Sequence, residues 1–175
     1  MSGGAVDLAA HAIRLATDRG LRIATAESLT GGLLAAALVD VPGASLAFSG
    51  GVVAYDTALK HSLLGVDAGL LAERGPVDAE VARELARGVR DACAVPGETG
   101  SPRAADIGVA TTGVAGPDPD PQTGQPAGTV WIGVSSDRGD RAVRLRLAGD
   151  RPAIRAAAVR SALEALLQEL ERVTV

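Results

Sequence analysis

Apolar residues recur along the chain with two kinds of spacing, one helical and one strand-like. Over residues 7–19 they lie three and four apart, which predicts a helix with one packed face, and Gly20 is a typical helix stop. Residues 21–25 alternate like a short strand, and residues 33–39 are an unbroken apolar run of good helix formers. The chain is therefore expected to begin as helix, strand and helix.

A glycine pair at positions 50 and 51 interrupts the second predicted strand, which covers residues 46–55. Such a pair predicts a bulge or a close approach of two backbones. A short helix is expected over residues 57–64, because Asp56 is a good N-cap and Gly65 is a good stop.

Helices and strands continue to alternate in the second half. A helical turn is expected over residues 70–75, an amphipathic helix from Asp78, and a loop over residues 94–105. The elements expected after that loop are a buried strand (107–112), a hairpin (129–135 and 142–147) and a last helix from about Asp150. This order predicts an α/β fold: a three-layer α/β/α sandwich around a mixed sheet, with residues 1–175 as a single domain.

The composition narrows the range of functions. A chain of 175 residues, 47% of them hydrophobic, is enough for one core. A net charge of −4, with one Trp, one Tyr and one Phe, argues against nucleic acid as a partner. The lone Cys93 gives neither a disulfide framework nor metal-type spacing, so a cytoplasmic location without a metal or cofactor is expected. No apolar run approaches the ~20 residues that span a bilayer.

A homodimer is expected from the broad apolar faces of the two terminal helices.

The candidate chemistry centres on Ser28, which lies between a predicted strand and a predicted helix. A helix start offers unpaired N–H groups and the positive end of the macrodipole, which suit an anion or a developing oxyanion. The alternative is that Ser28 or Thr30 simply caps the helix. The G-x-S-x-G motif of triad hydrolases is absent, and His11 and His61 lie in poor contexts for a base. A nucleophilic Ser28 would therefore need a lysine as its base.

Lys60 is the candidate for that base. Lysine and arginine total 17, and Lys60 is the only lysine, so the other sixteen are arginines. A desolvated lysine can lose its proton near neutral pH, whereas arginine cannot. The only tyrosine, Tyr55, is a candidate to hold or relay the proton, and Glu27 is expected to be a structural or orienting carboxylate. The alternative for Lys60 is an exposed ion pair with Asp56, four residues earlier.

A second glycine-rich turn follows the buried strand at 107–112. Its candidate substrate-binding residues are Thr112, Gly113, Ala115 and Gly116, because loops at strand ends of α/β sheets bind ligands. The alternative is a tight turn without a ligand. Neither a Walker A motif nor G-x-G-x-x-G is present, which argues against nucleoside triphosphates and dinucleotides. The loop at 117–126 is either a lid over the binding site or a surface loop without a function in binding.

Four segments in this order resemble the CinA carboxy-terminal domain family, in its stand-alone form. The segments are residues 25–32 (TAESLTGG), 51–55 (GVVAY) with Lys60, 113–117 (GVAGP) and 126–131 (PAGTVW). Enzymatic members of that family are nicotinamide-nucleotide amidohydrolases. The resemblance therefore implies hydrolysis of nicotinamide mononucleotide to nicotinic acid mononucleotide and ammonia, in pyridine-nucleotide salvage.

The resemblance also implies roles for the candidate residues. Ser28 would be the nucleophile, Lys60 the base and Tyr55 an aid to proton transfer, with no metal or cofactor. Backbone N–H groups of Thr30, Gly31 and Gly32 would stabilise the oxyanion, and the second glycine-rich turn would help to hold the nucleotide. The alternative function is a non-catalytic nucleotide-binding or interaction module linked to competence or the response to DNA damage.

Overall fold

A computed structural model describes residues 3–97 and 100–173 of the chain. The helices are α1 (Gly3–Asp18), α2 (Leu33–Val39), α3 (Thr57–Leu64), α4 (Ala68–Arg74), α5 (Ala79–Ala92) and α6 (Arg151–Arg172). The strands are β1 (Ile23–Glu27), β2 (Phe48–Val53), β3 (Val95–Pro96), β4 (Pro102–Arg103), β5 (Ile107–Gly113), β6 (Thr129–Ser136) and β7 (Gly139–Arg146).

Five strands form one mixed sheet in the order β2-β1-β5-β6-β7. β1 runs parallel to both β2 and β5, while β6 and β7 continue the sheet as an antiparallel hairpin. The predicted mixed sheet is therefore confirmed, with its parallel part built from the first half of the chain.

Two cores cover the two faces of this sheet. Ile23 of β1 belongs to the core under α1, α2 and α6, whereas its neighbour Ala24 belongs to the core under α3, α4 and α5. Successive strand residues point to opposite faces of the sheet, so β1, which is buried along its whole length, contributes side chains to both cores. This arrangement confirms the three-layer α/β/α sandwich.

The apolar faces of the terminal helices are used within the chain. Ala9 and Ala12 of α1 and Leu163 and Leu166 of α6 are all buried in the same core. These faces therefore do not form the exposed apolar surface on which the homodimer was predicted, and the oligomeric state stays a prediction.

Element boundaries follow the sequence signals where those signals are local. α2 and α3 coincide with the predicted residues 33–39 and 57–64, and α3 has its N-cap at Asp56 and its C-cap at Gly65. β1 begins two residues later than predicted, because pairing with β5 starts at Ile23. The predicted loop at 94–105 contains the short pair β3 and β4, and the turn of the β6–β7 hairpin is tighter than expected.

The glycine pair in β2 lies where the sheet requires it. The β1–β2 register shifts between Ile23 and Ala24, opposite Phe48 and Gly50, so β2 carries an irregularity at that point. A Cβ on Gly51 would lie 2.4 Å from Thr25 Oγ1 in the neighbouring strand. The pair predicted a bulge or a close backbone approach, and the register shift confirms the irregularity, while the backbone carbonyl of Thr25 would lie 3.2 Å from the same Cβ.

A third glycine allows α3 to lie directly on α5. A Cβ on Gly88 of α5 would lie 1.9 Å from the carbonyl oxygen of Leu64, the last residue of α3. A glycine inside a helix costs ~1 kcal/mol relative to alanine, so this contact gives a physical reason for its presence. The position of α3 on the sheet therefore depends on Gly88.

No helix within the described ranges, 3–97 and 100–173, is both long and apolar enough to cross a bilayer.

Candidate active site

Three predicted site segments meet at one edge of the sheet. Ser28 follows β1, Tyr55 follows β2 shortly after its end, and Gly113 ends β5. Because these three strands are parallel, their carboxyl ends lie at the same edge. The chain leaves β1 for β2 on one side and returns to β5 on the other, and in open α/β sheets ligands bind at such a switch point.

A cavity of about 510 Å³ opens at this edge. Its walls include Ser28, Tyr55, Lys60 and the turn that follows β5. The volume lies within the range typical of small-molecule sites, so the cavity is the candidate active site.

Ser28 and Lys60 are in hydrogen-bond contact within this cavity. Lys60 Nζ lies 3.0 Å from Ser28 Oγ and donates a second bond of 2.6 Å to the carbonyl oxygen of Ala54. Lys60 reaches the serine from the end of the first turn of α3, whose start is fixed by the Asp56 cap. The spatial contact between the chain's only lysine and its candidate nucleophile is thus present.

Burial changes the acidity of Lys60. The side chain is only 1% exposed, and desolvation lowers its pKa from 10.5 to about 8, although the nearby Asp56 carboxylate acts in the opposite direction. An exposed ion pair with Asp56, the alternative considered for this lysine, is therefore wrong. A lysine with a pKa near 8 holds a usable fraction of neutral amine at neutral pH and can accept a serine proton.

Glu27 caps the helix that follows the serine. Its carboxylate, 2% exposed, accepts hydrogen bonds from the backbone N–H groups of Gly32, Leu34 and Ala35 at 2.7 to 3.0 Å. The N-cap residue Gly32 makes no side-chain cap bond, so capping by Ser28 or Thr30 is not what starts α2. The protein's own anion occupies the positive end of this helix, and Glu27 has the structural role expected of it.

Replacing Glu27 with glutamine is expected to lower the free energy of unfolding by about 1–3 kcal/mol. The neutral amide removes the charge from three charge-assisted bonds and presents only one acceptor oxygen. Urea denaturation followed by circular dichroism measures the change. Glu164→Gln on the exposed face of α6 is the control and should be close to neutral, since Glu164 pairs with Arg160 at the surface. Equal effects in the two variants would contradict this role for Glu27.

The segment predicted to stabilise the oxyanion is oriented differently from expectation. Thr30, Gly31 and Gly32 do not line the cavity. Thr30 is fully buried and its hydroxyl bonds Thr111 Oγ1 at 2.8 Å. The Gly31 N–H donates to the carbonyl of Ser28 and the Gly32 N–H to Glu27. Because these glycine donors are already used inside the protein, neither is left for a substrate oxygen.

Tyr55 lines the cavity without bonding Ser28 or Lys60. It is 59% exposed, and its hydroxyl accepts a 2.8 Å hydrogen bond from Arg151 Nη2. Arg151 also donates from Nη1 to the carbonyl of Gly116, at 2.7 Å. The structure thus places Tyr55 at the rim with an arginine as its neighbour, rather than in the proton path between the lysine and the serine.

The second glycine-rich turn forms the opposite wall. Thr112, Gly113, Ala115 and Gly116 all line the cavity, and Thr112 Oγ1 donates to the carbonyl of Pro76 at 2.6 Å. The first half of the loop at 117–126 continues this wall. Its second half is held by two glutamine amides, which donate to carbonyl groups of α4 and of the segment before α5.

The sequence reasoning missed Arg151 and Arg155 of α6. Arg155 Nε and Nη2 donate to the carbonyl oxygens of Leu29 and Thr30, at 2.9 and 2.8 Å. Arg151 is the first residue of α6, where a positive charge opposes the helix macrodipole. The unfavourable charge at the start of α6 was the one signal in the sequence for Arg151. Arg155 gave no signal, because its hydrogen-bond partners lie about 125 residues earlier in the sequence.

Other candidate groups carry less chemistry. His61 bonds the Val66 carbonyl at 2.8 Å and is not among the residues that line the cavity. Within residues 3–97 and 100–173, no group of three or more His, Cys, Asp or Glu side chains is arranged to hold a metal ion.

Comparison with known proteins places the chain among close relatives. The family model for the CinA C-terminal domain matches residues 5–170. A CinA-like protein of Frankia casuarinae is 49% identical over 93% of this chain and 35% of its own length, and a putative competence-damage inducible protein of Bacillus velezensis is 43% identical over 89% and 34%. The chain thus spans about a third of the length of these relatives.

Solved structures agree with the sequence matches. The crystal structure of a CinA superfamily protein from Klebsiella pneumoniae has a TM-score of 0.85 and 34% identity, covering 97% of this chain and 99% of that one. The competence/damage inducible protein CihA from Agrobacterium tumefaciens has a TM-score of 0.86 and 33% identity, covering 98% of both chains.

Proposed function

This chain belongs to the CinA C-terminal domain family, and from that premise we propose that it is a serine-dependent amidohydrolase. Its proposed substrate is nicotinamide mononucleotide, which it converts to nicotinic acid mononucleotide and ammonia in pyridine-nucleotide salvage. The observation that carries the proposal is the 3.0 Å contact between buried Lys60 and Ser28 at the wall of the cavity.

In the proposed mechanism, neutral Lys60 accepts the hydroxyl proton of Ser28 while Oγ attacks the carboxamide carbon. A C–O bond forms, and the carbonyl oxygen becomes an oxyanion. When the intermediate collapses, the C–N bond breaks and the Lys60 ammonium protonates the leaving group, which departs as ammonia. Water then attacks the acyl-enzyme with Lys60 as base, which releases the carboxylate product and restores Ser28.

The cavity suits this substrate class in its distribution of charge. Lys60 and Arg151 are the cations among its lining residues, one buried beside the nucleophile and one exposed at the rim. Asp118 and Asp120 are the anions of the lining and lie in the loop after the second glycine turn. We propose that Arg151 binds the phosphate and that the carboxylates face the ribose and the cationic pyridinium ring. Tyr55 then contacts the substrate beside Arg151 and does not relay a proton.

Ammonia release from nicotinamide mononucleotide by the purified chain tests the function. We expect turnover by the wild type and none by Ser28→Ala, with Ser49→Ala on β2 as a matched control that leaves activity intact. Unchanged release in Ser28→Ala would contradict the mechanism. Binding of the nucleotide without turnover by the wild type would instead support the non-catalytic alternative.

The pH dependence of kcat/KM is expected to follow the titration of Lys60. With a pKa of about 8, roughly one-tenth of the lysine is neutral at pH 7. Because the neutral amine is the active form, kcat/KM should rise about tenfold per unit below pH 8 and level off above it. A pH series in constant ionic strength measures the midpoint. A profile that is flat from pH 6 to 9 would rule out Lys60 as the base.

Arg151→Met is expected to raise KM for nicotinamide mononucleotide by roughly tenfold to hundredfold, because charge-assisted bonds to a phosphate are lost. Nicotinamide riboside, which lacks the phosphate, should be affected much less. Steady-state kinetics with both substrates makes the comparison, and Arg144→Met on β7 is the control. Equal losses for the two substrates would contradict phosphate binding at Arg151.

A further inference from the structure

We propose that the backbone N–H of Leu29 is the oxyanion donor and that Arg155 is the positioning residue that holds it. This inference rests on the proposed function, since it assigns the group that stabilises the tetrahedral intermediate formed at Ser28. It replaces the donors predicted from the sequence, which lie outside the cavity.

The residues from Ser28 to Gly31 form a hydrogen-bonded β-turn with the features of type I. The Gly31 N–H donates to the Ser28 carbonyl at 3.1 Å, which is the i to i+3 bond of a β-turn. Types II, I′ and II′ each need a positive φ at a central position, and Leu29 and Thr30, which are not glycines, both have negative φ. Serine first and glycine fourth are also preferred residues of type I. The nucleophile therefore begins a turn of defined geometry.

Two hydrogen bonds fix the peptide planes on either side of Leu29. The bond from Gly31 holds the carbonyl of Ser28, and Arg155 Nε holds the carbonyl of Leu29. Because a trans peptide is planar, the Leu29 N–H points away from the Ser28 carbonyl. Arg155 Nη2 also holds the carbonyl of Thr30, so the guanidinium fixes two successive carbonyls of the turn.

Among the described residues, the Leu29 N–H has no protein acceptor. Leu29 lines the cavity beside Ser28, whereas the neighbouring Thr30 is fully buried and lies outside the lining. In α/β hydrolases, the N–H of the residue after the nucleophile is one of the oxyanion donors. The Leu29 N–H thus has three features that suit such a donor: it has no protein acceptor, it belongs to a residue that lines the cavity and its peptide is held in place.

The negative charge that the Leu29 N–H would stabilise forms on the substrate oxygen only after Ser28 Oγ has attacked the carboxamide carbon. When Ser28 Oγ bonds the carboxamide carbon, the electron pair of the C=O bond moves to oxygen, and the N–H then donates to a full negative charge. When C–N cleavage restores the carbonyl, that bond weakens again. A donor of this kind lowers the barrier with little effect on substrate binding, and losing one costs about 10²–10³ in kcat.

Position 29 allows a direct test, because proline is favoured at the second position of a type I turn and has no N–H. Leu29→Pro and Leu29→Ala both remove the buried leucine side chain, but only proline removes the donor. We expect kcat for nicotinamide mononucleotide to be about 10²–10³ lower in Leu29→Pro than in Leu29→Ala, with similar KM. Equal kcat values in two folded variants would overturn the assignment.

Arg155 gives an independent test that does not depend on Leu29→Pro folding. Arg155→Met should lower kcat by about tenfold to hundredfold while KM and the midpoint of the pH profile stay unchanged, because a displaced donor is weakened and not removed. Arg155→Lys should recover part of that loss, and Arg160→Met on the same helix should have no effect. Unchanged kcat in Arg155→Met, or equal changes in kcat and KM, would refute the positioning role.

The two proposals fail in different ways. A wild type without ammonia release, or with release that survives Ser28→Ala, refutes the proposed function and this inference together. Ser28-dependent activity with equal turnover in Leu29→Pro and Leu29→Ala refutes the oxyanion assignment alone.

Discussion

Lys60→Met is expected to lower kcat by about 10²–10⁴ and to make the protein more stable. The loss of activity follows from removing the proposed general base, whose amine lies 3.0 Å from Ser28 Oγ. The gain in stability follows from burial: a lowering of the pKa from 10.5 to about 8 corresponds to roughly 3 kcal/mol against folding with a charged lysine. The Ala54 carbonyl loses its donor, which offsets part of this, so we expect a net gain of about 1 kcal/mol at pH 7.

The pH dependence of stability distinguishes two causes of the gain in Lys60→Met, the removal of a buried charge and a simple change in packing. Between pH 8 and 10.5 the unfolded chain holds the Lys60 proton and the folded chain has released it, so the lysine penalty shrinks as the pH rises. The stability advantage of Lys60→Met should therefore be full below pH 8 and decline toward pH 10.5. Urea denaturation at pH 7 and pH 9.5 measures it, with ammonia release assayed in parallel.

Lys60→Arg is the matched control for charge. Arginine keeps the positive charge but cannot act as a base, so this variant should be inactive and less stable than the wild type. Substantial activity in Lys60→Arg would show that a cation alone suffices and would contradict a base at this position.

Gly88→Ala is expected to lower the free energy of unfolding by about 3 kcal/mol, although alanine is the better helix former. The added Cβ would lie 1.9 Å from the Leu64 carbonyl oxygen, a backbone atom, so α3 and α5 must separate. Because α3 carries Lys60, we also expect kcat to fall by about tenfold to hundredfold through displacement of Nζ from Ser28.

Thermal and urea unfolding together with steady-state kinetics test this prediction. Gly4→Ala in α1 is the control, because a Cβ there would meet only the flexible end of Arg160 at 3.4 Å. Gly4→Ala should be neutral or slightly stabilising. A Gly88→Ala variant as stable and active as Gly4→Ala would show that the α3–α5 contact does not position the lysine.

How far the fold could be predicted depended on how local each signal was. α3 was predicted with its correct bounds because Asp56 and Gly65, which start and stop it, are adjacent to it in sequence. β1 was displaced because its limits are set by pairing with β5, more than eighty residues later. The short pair of β3 and β4 was missed for a similar reason, since two-residue strands leave no periodicity to detect.

For the candidate site, too, the residues with a local sequence signal were predicted and those that depend on distant contacts were not. Residue chemistry singled out Ser28 and Lys60 as candidates, because a lone lysine among arginines is visible in the sequence. The donors predicted around Thr30 to Gly32 lie outside the cavity lining, because the sequence does not show that the Glu27 carboxylate occupies the first turn of α2. Arg155 was missed because its contacts with Leu29 and Thr30 exist only once the last helix has docked.

That docking has a consequence for synthesis on the ribosome. Ser28 is translated early, but Arg151 and Arg155 belong to the last of the described elements to emerge. A nascent chain can thus hold the nucleophile and the lysine while the turn between β1 and α2 still lacks the arginine that braces it. The order of translation delays completion of the reactive centre until α6 has left the exit tunnel. Ribosome-bound chains stalled before Arg151 should accordingly release little ammonia, whereas chains tethered after Val175 through an added flexible linker that carries α6 out of the tunnel should be active.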